Sequence, residues 1–330
     1  SYEVFSLLSQ MKEAGCEYAV MEVSSHALAL DRVYGVQFET GVFTNFSRDH
    51  LDFHETMENY LEAKSRLFSV CRYGVVNLDD GAAEKLLKSG SCQFQTYSVK
   101  SDGADLVAKN VNLKADRVEF EAVVEGSISR ISLGIPGMFS VYNALAAAAC
   151  CLTLGLSLAD IAVAMRHTPG VKGRAEVVPT PADYTVVIDY AHSPDSVQNI
   201  LKAVRGFAKG RVIALFGCGG DRDRTKRPLM GKAAAELADF CIVTSDNPRS
   251  EDPRAIIEEI LPGMKGAKSS VTVIDDRRAA IVHALDSAKA GDVVVLMGKG
   301  HETYQEIDGV KHHLDEREEV AKYFAGKEKA

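Results

Sequence analysis

The sequence has no run of apolar residues long enough to cross a membrane. A transmembrane helix needs about 20 such residues, and the alanine-rich stretch from Asn143 to Gly155 is shorter and bounded by polar residues. Clusters of basic residues are also scarce, and the formal net charge is -8. Neither nucleic acid nor an anionic membrane is therefore expected as the main partner.

The cysteines lack the spacing of a disulfide framework or of a paired metal site. None of the seven belongs to a CxxC pair, and most lie within apolar segments. This pattern favours reduced thiols that pack as small core residues of a cytoplasmic protein. The G-x-G-x-x-G fingerprint of dinucleotide-binding proteins is missing as well, which counts against a nicotinamide dehydrogenase.

Strand-like runs alternate with helical segments from the start of the chain. Glu17–Val23, Thr40–Thr44 and Gly74–Leu78 predict strands, whereas Val4–Ala14 and Glu55–Val70 predict helices. With 46% apolar and 25% charged residues, the 330-residue chain is long enough for about two domains. The alternation predicts an α/β fold in which ligands bind above the carboxyl edge of a mostly parallel sheet.

The rhythm changes between Gln93 and Leu133, where apolar residues recur at every second position and predict a small antiparallel sheet. Helices are predicted over Phe139–Leu154 and Leu158–Met165. Proline and glycine between Pro169 and Arg174 indicate a domain boundary, so we predict domains at 1–170 and 171–330. The second domain should be Rossmann-like, with strands at Tyr184–Asp189, Arg211–Phe216, Phe240–Thr244, Val271–Ile274 and Val293–Met297.

Two groups of chemically capable residues follow predicted strands in the first domain. They are Glu22 to His26 and Asn45 to His54. A parallel sheet would bring Glu22 and His50 to one edge, where the Glu22 carboxylate suits a nucleotide-bound metal. A polar turn after a strand is the plain alternative for the first group. Lys64 lies near the apolar face of the next helix, where burial beside a metal would lower its pKa.

Four loops of the second domain carry charged residues after predicted strands. Arginine suits the paired oxygens of a carboxylate and an acidic residue suits an ammonium, so three of these loops match a zwitterionic amino acid. In the loop that begins at Asp189, an acidic residue at a strand end suits a ribose hydroxyl. Surface loops joined by salt bridges are the alternative interpretation. The four loops are Asp189–Asp195, Gly217–Pro228, Asp246–Arg249 and Gly298–Glu302.

Taken together, these motifs resemble the Mur ligases of peptidoglycan synthesis. The resemblance extends from Ser1 to about Phe324 and follows one order along the chain. It implies a central ATPase domain, with a mostly parallel sheet plus a small antiparallel sheet, followed by the Rossmann-like domain. The motifs are EVSSH from Glu22, NFSRDH from Asn45, DYAHSPD from Asp189, GCGGDRD from Gly217, DNPR from Asp246 and GKGHE from Gly298.

The resemblance also implies a reaction. ATP would phosphorylate the D-glutamate side chain of UDP-N-acetylmuramoyl-L-alanyl-D-glutamate, and the amine of meso-diaminopimelate would attack the acyl phosphate to form an amide. The enzyme would be a monomer in the bacterial cytoplasm. Its work would consist of positioning and charge stabilisation.

Individual residues match the motifs that serve this reaction in the family. Glu22 and His50 match the Mg²⁺ ligands, and Lys64 matches the lysine that the family carries as a carbamate near the second metal, so His50 and Lys64 are also the predicted catalytic residues. Ser24 and Arg32 match contacts to the UDP-linked substrate. The predicted ATP contacts are Asn143, Arg174, Asp189 and His192.

The loop Asp246–Arg249 has the form that the resemblance associates with diaminopimelate rather than lysine. Arg249 would hold the distal carboxylate of this amino acid. Lysine-adding enzymes and folylpolyglutamate synthase share the fold but differ at this loop. The remaining predicted contacts to diaminopimelate are Arg222, Asp246, Asn247, Gly298 and Glu302.

One element of the family pattern is missing. The G-x-x-x-x-G-K-[ST] phosphate loop occurs nowhere in the sequence. We therefore expect a truncated ligase that lacks its phosphate loop and is inactive alone. A binding module that keeps the amino-acid pocket without turnover is the alternative.

Overall fold

The computed structural model describes residues 2–47, 50–168 and 170–327. Arg48 and Asp49 of the second motif, and Pro169 at the predicted boundary, lie outside these ranges. The chain divides into two compact units, which do not follow the chain in one cut. The first unit runs to Val111 and includes Phe120–Ile131 and Val141–Met165, and the second comprises Asn112–Glu119, Ser132–Ser140 and the chain from Arg166 onward.

Six strands form one sheet in the first half of the chain, and their order in the sheet is their order in the sequence. The strands are β1 (Phe38–Phe43), β2 (Cys71–Asn77), β3 (Gln93–Ser98), β4 (Leu106–Leu113), β5 (Val118–Val124) and β6 (Ser127–Leu133). The helices are α1 (Tyr2–Glu13), α2 (Ser25–Ala29), α3 (Leu51–His54), α4 (Met57–Ser65), α5 (Ala83–Ser89), α6 (Met138–Thr153) and α7 (Leu158–Arg166), with a 3-10 turn at Arg66–Ser69.

The antiparallel prediction for this region is wrong for its first strand. β3 pairs in parallel with β2 on one side and with β4 on the other. Only the connections from β4 to β5 and from β5 to β6 are short enough to require antiparallel neighbours. The connection that contains α5 gives the chain enough length to return before β3.

The predicted strand Glu17–Val23 does not form. This segment is irregular and exposed, with Tyr18 at 68% and Val20 at 100% of full exposure. β1 is the edge strand of the described sheet, and no other described strand pairs with its outer side. An apolar run cannot become a strand without a neighbour that accepts its backbone hydrogen bonds, and periodicity alone does not reveal whether one is present.

The second unit contains a further six-stranded sheet, in the order β11-β10-β9-β12-β8-β7, and a two-stranded one. Its strands are β7 (Glu176–Val178), β8 (Thr185–Asp189), β9 (Val212–Phe216), β10 (Phe240–Val243), β11 (Ser270–Val273) and β12 (Val293–Met297), with the hairpin β13 (Tyr304–Ile307) and β14 (Val310–His313). Its helices are α8 (Pro194–Arg205), α9 (Lys226–Leu237), α10 (Pro253–Ile260), α11 (Arg277–Ser287) and α12 (Glu316–Lys327), with a 3-10 turn at Leu261–Met264.

Both faces of this larger sheet are covered. β8 to β12 run parallel, and the edge strand β7 is antiparallel to β8. Alternate residues of β9 and β12 face opposite cores, one shared with α8, α9 and α10 and the other with α11 and α12. Continuously apolar strands are typical of such doubly wound sheets. The predicted α/β fold class is confirmed, and the five strands predicted here match β8 to β12 within one or two residues.

The cysteines follow the prediction in part. All seven are free, and Cys218 and Cys241 are buried. Cys16 is exposed, because it lies in the irregular segment that was predicted to enter a strand. Among the helices of the described chain, none has both the length and the apolar character that a bilayer crossing requires.

Candidate amino-acid site in the second unit and candidate metal site in the first

The loops after β8, β9, β10 and β12 line one cavity of about 220 Å³. Carboxyl ends of parallel strands share one edge of a sheet, so residues far apart in sequence meet there. All six residues predicted to bind the amino acid line this cavity: Arg222, Asp246, Asn247, Arg249, Gly298 and Glu302. Tyr190, Gly219 and Lys226 also line it without having been predicted, and His192, predicted for ATP, lies here as well.

A fully buried lysine lies beneath this cavity. Lys299 Nζ donates to Asn247 Oδ1 at 2.6 Å and to Glu302 Oε2 at 2.8 Å. It also lies 3.8 Å from Asp246 Oδ1. A buried ammonium is tolerated only with such partners, and sequence reasoning missed it because the residue pattern of GKGHE does not reveal which side chain turns inward.

The Asn247 side chain has a defined orientation. Its Oδ1 accepts from the Glu306 backbone N–H at 2.9 Å in addition to Lys299. Its Nδ2 donates to Glu302 Oε2 at 2.9 Å. Two donors on one side and a carboxylate on the other fix which atom is oxygen and which is nitrogen.

Arg249 is held by its backbone and by its side chain. Its φ of 52° is left-handed, a conformation that costs a non-glycine residue energy unless its surroundings impose it. Hydrogen bonds to β13 and the adjoining turn impose it: Arg249 N donates to Glu306 O at 3.1 Å, and Asp308 N donates to Arg249 O at 2.8 Å. The guanidinium donates to Gly220 O at 2.6 Å and pairs with Glu306 at 3.3 Å.

Two glycines allow the loops to approach each other. A Cβ on Gly220 would lie 1.9 Å from Pro248 O, which is far inside the contact distance. Gly298 has a φ of 112°, and a Cβ there would lie 2.3 Å from Asp246 Oδ2. Neither position can take a side chain without moving the cavity wall.

An ion-pair network braces the loops from the side of α9 and α10. Arg227 is buried and donates to Glu251 and Glu259 at 2.8–2.9 Å. Glu251 also accepts from Asp221 N at 2.6 Å, which joins the loop after β9 to the loop after β10. The hydrogen bonds and charge of Arg227 lower the pKa of Glu251 to about 2.

A second buried pair lies behind the strand ends. Arg277 donates through Nε and Nη2 to Glu316 Oε1 at 3.0 and 2.8 Å, and both side chains are almost completely buried. Arg277 also donates to the carbonyls of Ser245 and Met297 at 3.1 and 2.7 Å. These carbonyls immediately precede Asp246 and Gly298, so the pair fixes the two loops where they leave β10 and β12.

The predicted ATP contacts of this unit lie around β8. Asp189 accepts from Ala175 N at 2.7 Å and from Ala191 N at 2.8 Å, and burial raises its pKa despite these bonds. The Arg174 guanidinium lies 4.9 Å from the Tyr190 ring centre. The Asp189 carboxylate therefore fixes the backbone at Ala175 and Ala191, the residues next to Arg174 and Tyr190.

The first unit has a larger cavity of about 550 Å³. The irregular segment 18–24 forms one side and β1 another, and Glu22, Ser24, His50 and Lys64 all lie in the cavity wall. The predicted metal residues are thus brought to one cavity, even though the strand predicted to carry Glu22 is absent. Arg32, beyond α2, is not part of this wall, and Asn143 is an exposed residue of α6.

The lining of this cavity fits a hard divalent cation that keeps most of its water. Such an ion takes one or two carboxylates and completes its shell with water and phosphate oxygens. Glu22 supplies a carboxylate, and Lys64, whose Nζ lies 5.1 Å from the Tyr60 ring centre, would supply two more oxygens as a carbamate. Within residues 2–47, 50–168 and 170–327, no group of three or more His, Cys, Asp and Glu side chains is arranged to hold a metal alone.

Comparison with known proteins accounts for both units. The protein-family model of the Mur ligase middle domain matches residues 1–151 of this chain, and the family model of the Mur ligase glutamate ligase domain matches residues 173–300. The UDP-N-acetylmuramoyl-L-alanyl-D-glutamate--2,6-diaminopimelate ligase of Caldanaerobacter subterraneus subsp. tengcongensis is 48% identical over 100% of this chain and 68% of its own length. The chain belongs to the Mur ligase family.

Two further matches support the assignment of this chain to the family. The ligase of the same name from Clostridium botulinum is 46% identical over 97% of this chain, and the match covers 66% of the relative. A solved structure of a ligase of that name has a TM-score of 0.70 at 37% identity, covering 96% of this chain and 66% of that one. This Mur ligase chain thus spans about two thirds of the length of the relatives it matches.

Proposed function

We propose that the second unit binds meso-diaminopimelate for an ATP-dependent ligase that adds this amino acid to UDP-N-acetylmuramoyl-L-alanyl-D-glutamate in the bacterial cytoplasm. One observation carries the proposal. Six residues chosen from three separate loops by their sequence pattern line a single small cavity. The names of relatives that are 46% and 48% identical support the same choice of substrate.

The charges of the cavity suit a ligand with two carboxylates and two ammonium groups. Arg222 and Arg249 offer planar guanidinium groups, which grip carboxylates in paired hydrogen bonds. Asp246 and Glu302 are the counterparts for an ammonium. The volume of about 220 Å³ is below the range of about 300 to 1,000 Å³ typical of drug-sized ligands, which favours a single amino acid over a nucleotide.

We infer that these residues act by positioning. In the proposed reaction, ATP phosphorylates the D-glutamate carboxylate, and one amine of diaminopimelate displaces the phosphate to form the amide. A pocket braced by buried side chains would hold that amine in one orientation, and orientation can lower such a barrier by several kcal/mol. Arg249, whose backbone is fixed by β13, is the proposed clamp for the distal carboxylate.

In the first unit we propose that Glu22, His50 and Lys64 hold Mg²⁺. The ion would neutralise phosphate charge when bound. Glu22 and His50 are the direct ligands in this proposal, and Lys64 contributes as a carbamate. Other assignments remain predictions. Ser24 and Arg32 are predicted to contact the UDP-linked substrate, and the predicted ATP contacts are Asn143, Arg174, Asp189 and His192. The domain limits 1–170 and 171–330 and a monomeric state are predictions as well.

Isothermal titration of the chain with meso-diaminopimelate, and separately with L-lysine, tests the proposal. We expect selective binding of diaminopimelate, because only this ligand has a distal carboxylate for Arg249. Equal or tighter binding of L-lysine would contradict the substrate assignment.

A binding module without turnover is the second candidate, because every residue that lines the amino-acid cavity belongs to the second unit alone. It predicts amino-acid binding with no release of phosphate from ATP. A phosphate-release assay with ATP, Mg²⁺, diaminopimelate and the UDP-linked dipeptide separates the two candidates. Turnover would contradict the binding-only form.

A further inference from the structure

Two of the loops that form the amino-acid cavity leave strands that are not neighbours. β10 and β12 lie on opposite sides of β9 in the sheet. Asp246 and Asn247 follow β10, whereas Glu302 follows β12. No backbone ladder joins the two strands, so other bonds connect the loops that follow them. Arg277 bonds to the carbonyls of Ser245 and Met297 at the strand ends, Arg249 bonds to β13, and a buried side chain connects the loops at the cavity itself.

Lys299 is the side chain that connects the two loops at the cavity. Its ammonium contacts Asn247 and Glu302 at 2.6 and 2.8 Å and lies 3.8 Å from Asp246. The side chain is completely buried, so it reaches the cavity residues from below rather than from the ligand side. Its other neighbour is the Tyr304 ring, 5.3 Å from Nζ, which offers a π face to the same cation.

Lys299 affects Asn247 and Glu302 through its charge as well as through its position. Two carboxylates share this cavity wall, and like charges at close range repel. Lys299 supplies the opposite charge next to both and donates to the amide oxygen of Asn247. The Asn247 amide nitrogen is then left to face Glu302, at 2.9 Å.

We propose that Lys299 is a positioning residue of the amino-acid site. It orients the Asn247 amide and the Glu302 carboxylate toward the ligand without touching the ligand itself. This inference rests on the proposed function for its ligand, but the orientation of Asn247 is a property of the unliganded chain. Experiments can therefore contradict the positioning role of Lys299 and the proposed function separately.

The first test follows the Asn247 side-chain amide by NMR in the unliganded chain. In the Lys299→Met variant we expect displaced signals and hydrogen exchange faster by about tenfold or more, the scale of a lost charge-assisted hydrogen bond. Lys322→Met is the matched control, since Lys322 makes an exposed pair with Glu319 at 2.9 Å. Its Asn247 signals should equal those of the wild type.

Removal of a buried cation leaves a buried carboxylate uncompensated and can prevent folding. The double variant Lys299→Met/Glu302→Gln removes both charges and keeps the test available. Because Glu302 itself accepts from the Asn247 amide, the reference is Glu302→Gln alone: we expect the Asn247 signals of the double variant to be displaced from those of that single variant, at a thermal midpoint closer to the wild type than that of Lys299→Met. Unchanged Asn247 signals in a folded Lys299→Met or double variant would overturn the proposal.

The second test titrates Lys299→Met with meso-diaminopimelate. We expect affinity weaker by about tenfold or more, with the Lys322→Met control unchanged. Unaltered affinity in a folded Lys299→Met variant would overturn the positioning role and leave the proposed function intact. Absence of binding to the wild-type chain would count against the proposed function, and the NMR result would then decide the positioning role alone.

Discussion

The two cavities differ in what holds their side chains in place. In the second unit the loops leave parallel strands buried on both faces, and Lys299, Arg227 and Arg277 tie them together from within. In the first unit, Glu22 lies on an irregular exposed segment opposite an edge strand. Buried side chains thus hold the candidate ligand residues of the second unit in place, whereas Glu22 in the first unit lies on an exposed, irregular segment.

Replacement of a buried brace should have the largest effect. Arg277→Met leaves Glu316, which burial already penalises by raising its pKa, without its counter-ion. We expect a loss of about 3 to 5 kcal/mol in unfolding free energy, measured by urea titration. Arg254→Met is the control: its pair with Asp275 at 2.9 Å is about half exposed, and such pairs contribute roughly 0.2 to 1 kcal/mol. Equal losses would show that burial does not determine how much these ion pairs contribute to stability.

The next effect concerns the ligand rather than the fold. Arg249→Ala should weaken meso-diaminopimelate binding by about 1.5 to 3 kcal/mol, the cost of a charge-assisted hydrogen bond. L-Lysine, which has no distal carboxylate, should bind equally to both forms. A parallel loss for both ligands in calorimetry would mean that the substitution disturbed the loop, not one contact.

A smaller effect should depend on pH. The pKa of Glu251 is lowered from 4.5 to about 2 by Arg227, so its contribution to stability is complete above pH 4.5 and is lost as the pH falls toward 2. At pH 7 we expect Glu251→Gln to cost about 1 to 2 kcal/mol. The difference from the wild type should shrink between these pH values in denaturant titrations. A constant difference would exclude the ion pair as its source.

The smallest effect on stability is expected in the first cavity. Glu22→Gln should change unfolding free energy by less than about 0.5 kcal/mol, because the residue is exposed. The affinity for Mn²⁺, followed by water relaxation, should nevertheless fall by at least about tenfold. Even the replacement of a residue that only hydrogen-bonds to a metal ligand lowers metal affinity by about 10- to 100-fold. Glu17→Gln, on the same segment outside the cavity, is the control. Equal Mn²⁺ affinity in both variants would remove Glu22 from the metal site.

Sequence periodicity predicted the second unit well because its strands are buried on both faces. Val293–Met297 is apolar throughout and has a single interpretation. The same reasoning failed at Glu17–Val23, where an apolar run lacks a described strand to pair with, and at Gln93–Ser98, where strand direction depends on chain path. Arg222, Asn247 and Glu302 were found from motif pattern, but Lys299 was not, because burial beneath a site leaves no periodic signal.

The second cavity, already braced in the unliganded chain, is the proposed amino-acid site. Titration of ¹⁵N-labelled chain with meso-diaminopimelate, followed by NMR, tests this directly. We expect shifts concentrated at Gly219, Asn247 and Gly298, with Ser24 and Gly41 of the first cavity unaffected. Shifts centred on Ser24 and Gly41 instead would contradict this assignment.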